Sequence, residues 1–416
     1  MSTIYIAGVG MTPFTRHPEL SVGQLTAWAV RETLEDAGCA PEQVQSAFFG
    51  NCAQGLLEGQ HLVRGQMSLL PMGLQGIPIF NVENACATAS TALHLAVQYL
   101  RAGACDIALA VGVDKLFTPE RERRFQIFDG AWDVRTPAEN HARFLALAEG
   151  LAIPADAQSE NGYSPFMDVY AGFARQYMRR FGITQRQLAV IASKNRTHAV
   201  ANERAQFRKP MSVDEVLASP PITWPLTLPM CSPISDGAGA ALLCTEVGLR
   251  KLQGRLDRAI QVHASVLRTA TARDPEDLDN HLTRLAANQA YEAAGFGPED
   301  MHVAEVHDAT AMGELIQSEN LGFCPLGEGG AMAEHGETTI GGRIPINPSG
   351  GLESKGHPIG ATGLGQVYEL VSQLRGECGA RQVKGARMAV HENGGGIWGI
   401  EESVAHIGIY GSTSWN

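Results

Sequence analysis

The eight cysteines of this 416-residue chain include no CxxC pair and stand scattered at positions 39, 52, 86, 105, 231, 244, 324 and 378. That spacing excludes a zinc ribbon within the chain and gives no disulfide framework. Most of these thiols sit in apolar or small-residue runs such as Ala240-Ala241-Leu242-Leu243-Cys244, the pattern of reduced, buried cysteine in a cytoplasmic protein. No apolar run approaches the roughly 18 residues that cross a bilayer, and no basic segment leads into an apolar one at the N-terminus. Neither a membrane span nor a secretory leader is therefore expected. Positive charge is scarce: 32 Lys+Arg against 44 Asp+Glu leave a net charge of -12, which speaks against an electrostatic nucleic-acid partner. The most basic stretch, Arg121 to Arg124, is broken by Glu122 and reads as a solvated face. No glycine run ends in Gly-Lys-Ser/Thr, so a Walker-type phosphate loop is excluded.

What the chain does have is glycine, alanine and an alternation of apolar runs with helical patterns. Residues 4–10 read as a buried first strand, and 21–37 as an amphipathic helix with Ser21 as its N-cap. Residues 48–51 and 78–82 read as short strands, the second delivering the chain to Cys86. The helix after Cys86 is expected to end at Gly103, and 106–113 is the continuous apolar run of a central strand. This order predicts a mostly parallel, layered α/β core. From 117 to 229 the periodicity changes, with helices predicted at 167–181 and 184–201; this region reads as an insertion that covers the core and supplies substrate contacts. A core strand returns at 236–244. A second half follows, with a strand (259–266), a helix (278–294), a strand (303–307), a helix (310–321), a glycine loop and helix (350–374), and strands at 386–391 and 396–400. The two halves share an order of elements, which suggests a duplication. The expected division is 1–116 with 230–250, an inserted cap at 117–229, and 251–416.

Cys86 lies in Asn84-Ala85-Cys86-Ala87-Thr88-Ala89-Ser90, where a strand turns into an apolar helix. A buried structural thiol is the ordinary reading of such a cysteine. At a helix start, however, unpaired backbone N–H groups and the helix dipole favour a thiolate, and a backbone N–H there can serve an oxyanion. Three glycine-framed histidines lie far downstream, in Val306-His307-Asp308, Gly356-His357-Pro358 and His391-Glu392-Asn393 before Gly394-Gly395-Gly396. One nucleophile with remote histidines is the pattern of covalent catalysis through cysteine. His307 could equally be a hydrogen-bonded core histidine. Metal binding is the competing chemistry and is disfavoured, because the histidines lack helical or hairpin ligand spacing.

These segments, in this order and separation, resemble the thiolase superfamily over nearly the whole chain, and within it the sterol-carrier-protein or lipid-transfer type. The most specific parts are Asn84-Ala85-Cys86, His307-Asp308 and the run from Asn347 to Gly363. The resemblance implies an α/β fold, duplicated and five-layered (αβαβα), with the inserted loop/cap region. It further implies a homodimer and a CoA-thioester substrate, with coenzyme A as co-substrate and no metal in this chain. Carried over, Cys86 resembles the acyl-accepting nucleophile and His357 the histidine that activates it. His307 takes the place of an asparagine in the acetoacetyl-CoA and 3-ketoacyl-CoA branch. Backbone N–H groups of Cys86 and Gly395 would line an oxyanion site. That branch also has a second cysteine before the last glycine run; Glu392 stands at that spacing here, so proton transfer at the α-carbon falls to His391, Glu392 or His307, with His391 preferred. Ala309-Thr310 replaces a Cys-Phe pair found in related enzymes, which would widen the acyl pocket.

The implied reaction is retro-Claisen thiolysis of a 3-oxoacyl-CoA on a bulky, branched or aromatic acyl group, or the reverse condensation. Retro-aldol cleavage of a 3-hydroxyacyl-CoA and non-catalytic carriage of acyl-CoA or lipid are the alternatives. Relatives lacking the second cysteine often work with a small partner made of a zinc ribbon and an OB-like domain, and the resemblance extends that expectation here. Phe125, Phe128, Trp132, Tyr163, Phe166 and Tyr170 in the insertion are expected as core first and as pocket lining second.

Overall fold

The computed structural model describes residues 2–154, 157, 159, 163–252 and 256–412, without the side chains of Arg121, Arg124 and Leu256, so the basic stretch read as a solvated face lies partly outside the described residues. The strands are β1 (Ile4–Met11), β2 (Ser46–Gly50), β3 (Ile79–Val82), β4 (Ile107–Lys115), β5 (Pro221–Thr223), β6 (Leu226–Thr227), β7 (Asp236–Thr245), β8 (Ile260–Thr269), β9 (Val303–Glu305), β10 (Met388–Gly395) and β11 (Val404–Ser412). Nine of them form one sheet in the order β3-β2-β4-β7-β1-β8-β11-β10-β9, and β5-β6 is a small separate ribbon.

The duplication is visible in the strand order. Counting outward from the β1/β8 seam, each half runs strand, antiparallel neighbour, antiparallel neighbour, parallel neighbour: β1-β7-β4-β2 in one, β8-β11-β10-β9 in the other. Even β3 has a counterpart, because Ala304 in β9 bridges Ile346 in parallel as β2 pairs β3. The chain that leaves β3 for Cys86 and the chain that leaves Ile346 for His357 are thus equivalent crossovers, each feeding a helix (Thr88–Arg101 and Thr362–Arg375).

Those two helices pack on each other and on both halves of the sheet, forming a central layer around Leu93, Val97, Leu100, Leu364, Val367 and Leu370. The helix Val22–Ala37 covers the outer face of the first half, and Leu282–Ala294 the outer face of the second. These are the five layers that the resemblance implied. Ser21 closes the first of these outer helices with a capping box to Gln24, as its sequence predicts. Helices Pro137–Ala146, Pro165–Phe181 and Gln185–His198 build the cap over a separate core against Ala311–Asn320. No helix among the described residues is long and apolar enough to cross a membrane.

Three expectations need correction. The core sheet, expected to be mostly parallel, has five antiparallel pairings and three parallel ones, because β7 and β11 run antiparallel to both of their neighbours and β1 and β8 meet antiparallel at the seam. The strand predicted at 396–400 is a turn; β10 instead runs through the glycines to Gly395, and the chain reverses into β11. The glycine content that reads as a loop serves close approach: a β-carbon on Gly395 would run into Asn84 and Ala87 of the Cys86 turn. The helix predicted from 278 starts at Leu282, because His281 accepts the Thr283 N–H as its cap.

Leu370→Ala would open a void in the central layer. A loss of about 2–5 kcal/mol in urea unfolding is expected, whereas Leu62→Ala at an exposed position should stay within about 0.5 kcal/mol of the parent.

Candidate functional site

Cys86 sits in a 3-10 turn, Ala85–Ala87, two residues before the first residue of the Thr88–Arg101 helix. Ala85 has φ 48°, a left-handed conformation that costs energy for a residue with a side chain. It is held there by its own N–H donating to Glu83 (2.6 Å) and by the flanking Asn84 N–H donating to Thr88 Oγ1 (2.8 Å). The turn lifts the thiol to the end of the sheet.

His307 and His357 come to it from the second half. Their rings pack edge to face with centroids 5.3 Å apart. The Cys86 sulfur and one nitrogen of each ring all lie within 4.8 Å of one another. Cys/His/His is also a metal-ligand set, so the cluster has two chemical readings on geometry alone. His357 Nδ1 is 2.6 Å from Thr362 Oγ1, and that hydroxyl donates to the Pro358 carbonyl (3.0 Å). Since the hydroxyl has one proton, Nδ1 must be the protonated nitrogen. Nε2 is then the free base. His307 is 3% exposed, yet neither ring nitrogen has a protein hydrogen-bond partner among the described residues.

The three residues share a cavity of about 1390 Å³ with Gly395, Ala309, and Phe125, Phe128, Tyr163, Phe166 and Tyr170 from the cap. Five of the six aromatic residues read first as core therefore line a pocket; Trp132 packs against the cap core and stacks on Phe166.

Two family descriptions match the chain: "Thiolase, N-terminal domain" over residues 4–217 and "Thiolase C-terminal domain-like" over 264–407. The chain is 37% identical to the benzoylsuccinyl-CoA thiolase subunit BbsB of Thauera aromatica, covering 94% of this chain and 95% of that one. It is also 37% identical to sterol carrier protein 2 of Bos taurus, over 94% of this chain and 69% of that one. The chain belongs to the thiolase family. Among solved structures, the Ltp2-ChsH2(DUF35) aldolase superposes with a TM-score of 0.77 at 22% identity, covering 99% and 98% of the two chains, which is a likeness of fold.

In this thiolase the resting thiol is not a thiolate. Burial, then Asp114, with smaller contributions from Glu83 and Glu402, push Cys86 up to about 12 against the favourable backbone donor. The helix-start argument is outweighed by desolvation. Burial likewise lowers His307 to about 4, and burial with His307 and Lys355 holds His357 well below its usual value. The site rests as a neutral thiol beside neutral imidazoles.

His391, preferred from sequence as the α-carbon base, is elsewhere. β10 alternates faces, so His391 points into the central helical layer, 3.0 Å from Gln366 and packed on His406 and Tyr410. Glu392 points the other way, but its Oε2 accepts the His307 N–H (2.8 Å), a positioning contact, and it does not line the cavity. Two carboxyls do line the cavity: Glu83, which accepts the Ala85 N–H, and Glu402, whose side chain lies across Gly394 and whose pKa is raised by burial to about 7. Nothing in Ile400-Glu401-Glu402 marks it, because Glu402 is delivered by the turn closed by the Trp398–Glu401 bridge, where the sequence pattern predicts a strand. Asp114 was also missed. It accepts from the backbone N–H groups of Cys52 (3.2 Å), Ala53 (2.9 Å) and Gly360 (2.6 Å), tying the first half to the His357 loop. An aspartate closing the apolar run of β4 was the available signal.

Peptide-resolved iodoacetamide labelling of Cys86 is expected to rise about tenfold per pH unit between about pH 7 and about pH 10 without levelling, since its thiol titrates near 12. A plateau below about pH 8 would show a thiolate stabilised in the resting site.

Proposed function

We propose that the chain is a CoA-dependent thiolase that cleaves a bulky 3-oxoacyl-CoA through an acyl-Cys86 intermediate. The observation that carries this reading is the convergence of Cys86, His307 and His357 within 4.8 Å on an aromatic-lined cavity of about 1390 Å³. His357 Nε2 takes the thiol proton as the sulfur attacks the 3-keto carbon. The alkoxide formed is held by the backbone N–H groups of Cys86 and Gly395. Its collapse breaks the bond between carbons 2 and 3, leaving the acyl group on Cys86 and an acyl-CoA enolate whose thioester oxygen faces the imidazoles of His307 and protonated His357. A carboxylic acid protonates carbon 2, and the first acyl-CoA leaves. His357 passes its proton to the carboxylate left behind and, neutral again, takes the thiol proton of coenzyme A as that sulfur attacks the acyl carbon. The acyl group moves to coenzyme A, and the proton returns to the departing Cys86 sulfur. The reverse sequence is a Claisen condensation.

The two unpartnered nitrogens of His307 suit this role: a buried imidazole without partners gains most from a substrate oxygen. For the proton at carbon 2 we assign Glu402 rather than His391, since it borders the cavity and a carboxyl titrating near 7 can both give and take a proton at neutral pH. The Thauera aromatica relative is named as a subunit of benzoylsuccinyl-CoA thiolase. By extension, the present chain would act in the cytoplasm as a homodimer with a second, small zinc-ribbon/OB-fold chain completing the CoA channel.

Mixing the protein with acyl-CoA and 3-oxoacyl-CoA thioesters should give an acyl adduct in the intact mass. Cys86→Ala should give none; cleavage of a 3-hydroxyacyl-CoA by the wild type, at an unchanged rate in that variant, would replace thiolysis with retro-aldol chemistry. Glu402→Gln should slow deuterium exchange at carbon 2 of the acyl-CoA product by about 100-fold or more while Cys86 still acylates. Full exchange in Glu402→Gln together with its loss in His391→Gln would return the role to His391.

A further inference from the structure

Among the described residues, Arg196 is the one deeply buried cation bordering the cavity, and the thiolase steps leave it unused. It lies near the end of helix Gln185–His198, is 9% exposed, and lines the same cavity as Cys86. Its guanidinium stacks on Phe207, 4.2 Å from the ring centre. Its Nε has no hydrogen-bond partner, and among the described residues it forms no ion pair. Glu353 is the carboxyl that acts on it through space, but no hydrogen bond joins the two: one Glu353 oxygen accepts from Asn195 (2.8 Å), the other is buried without a partner, and burial raises the pKa of the group, which favours its neutral acid. The end of the same helix braces the loop that carries His357: His198 Nδ1 meets the Asn347 carbonyl at 3.0 Å, and Asn202 donates to the Ser349 carbonyl at 2.8 Å. Arg196 is therefore fixed in the frame of the active site.

An uncompensated buried guanidinium is strongly unfavourable, and its planar fork fits a carboxylate with two parallel hydrogen bonds. The bound anion has two available sources, the acyl chain and the phosphates of coenzyme A. A diphosphate carries at least two charges and is strongly hydrated, which suits Arg16, the exposed guanidinium that also borders the cavity, whereas Arg196 is nine-tenths buried among lining residues that include Phe207 and Met211. We propose that Arg196 binds a carboxylate on the acyl part of the substrate, so that the enzyme acts on the CoA half-thioester of a 3-oxo dicarboxylic acid. This rests on the thiolase reading and names its substrate class.

The test compares 3-oxoadipyl-CoA with its terminal carboxamide, an uncharged isostere, in the wild type, Arg196→Gln and Arg196→Lys, with free CoA affinity measured by calorimetry. The wild type is expected to prefer the carboxylate by about 100-fold in kcat/KM. Arg196→Gln should bring the two within a few-fold of each other, and Arg196→Lys should recover part of the preference. CoA affinity should stay the same throughout. A wild type that uses both substrates equally overturns the proposal without recourse to any variant. An equal loss on both substrates with weakened CoA binding overturns it in favour of a phosphate contact. An acyl adduct at Cys86 from the carboxamide, in the absence of selectivity, would leave thiolysis standing and remove only the carboxylate site.

Discussion

Two buried carboxylates at the end of β9 hold the site together. Glu305 accepts from the Ser349 N–H (3.1 Å), the Ser349 hydroxyl (2.8 Å) and Lys355 Nζ (2.9 Å). Asp308 accepts from the Leu352 (2.7 Å) and Glu353 (3.3 Å) N–H groups at the start of the short helix Gly351–Lys355. His307 lies between these two carboxylates in sequence and His357 follows the loop they grip, so the same bonds fix both imidazoles. Gly351 has to be glycine, with φ 61°, because a β-carbon there would occupy the place of the Asp308 carboxylate. Lys355 and Glu305 are both essentially inaccessible to water (1% and 0% exposed), and removing either would strand a charge in the core.

The chemistry follows from desolvation. A neutral thiol between neutral imidazoles costs little to bury, and charge appears only when substrate completes the site. Backbone donors and imidazoles then stand where the oxyanions form. A preformed thiolate–imidazolium pair would face the nearby carboxyls of Asp114 and Glu402 in a low-dielectric cavity, and burial disfavours it.

The internal symmetry explains why nucleophile and base lie roughly 270 residues apart in sequence yet adjacent in space. Each half sends one crossover from its outer strand into a central helix, and the two helices pack against each other. The starts of these helices therefore meet at one end of the sheet, with Cys86 on one and His357 on the other. Asp114 and Gly395 tie the two starts together, the first by accepting the Gly360 N–H and the second by leaving room for the Asn84–Ala87 turn.

By itself the sequence determined the elements whose cause is local. Apolar runs became β1, β4, β7 and β8, Ser21 became a cap, and the glycine-framed motifs marked Cys86, His307 and His357. Three things needed the tertiary structure, because each depends on what surrounds a residue rather than on its neighbours in the chain. The thiol titrates upward since burial outweighs a helix start. His391 leaves the site because strand alternation, in a strand longer than its apolar core, turns it to the opposite face from Glu392. Glu402 and Arg196 join the cavity from a turn and from a helix face with no motif of their own, for a pocket assembled from several distant segments leaves no periodic trace in any one of them.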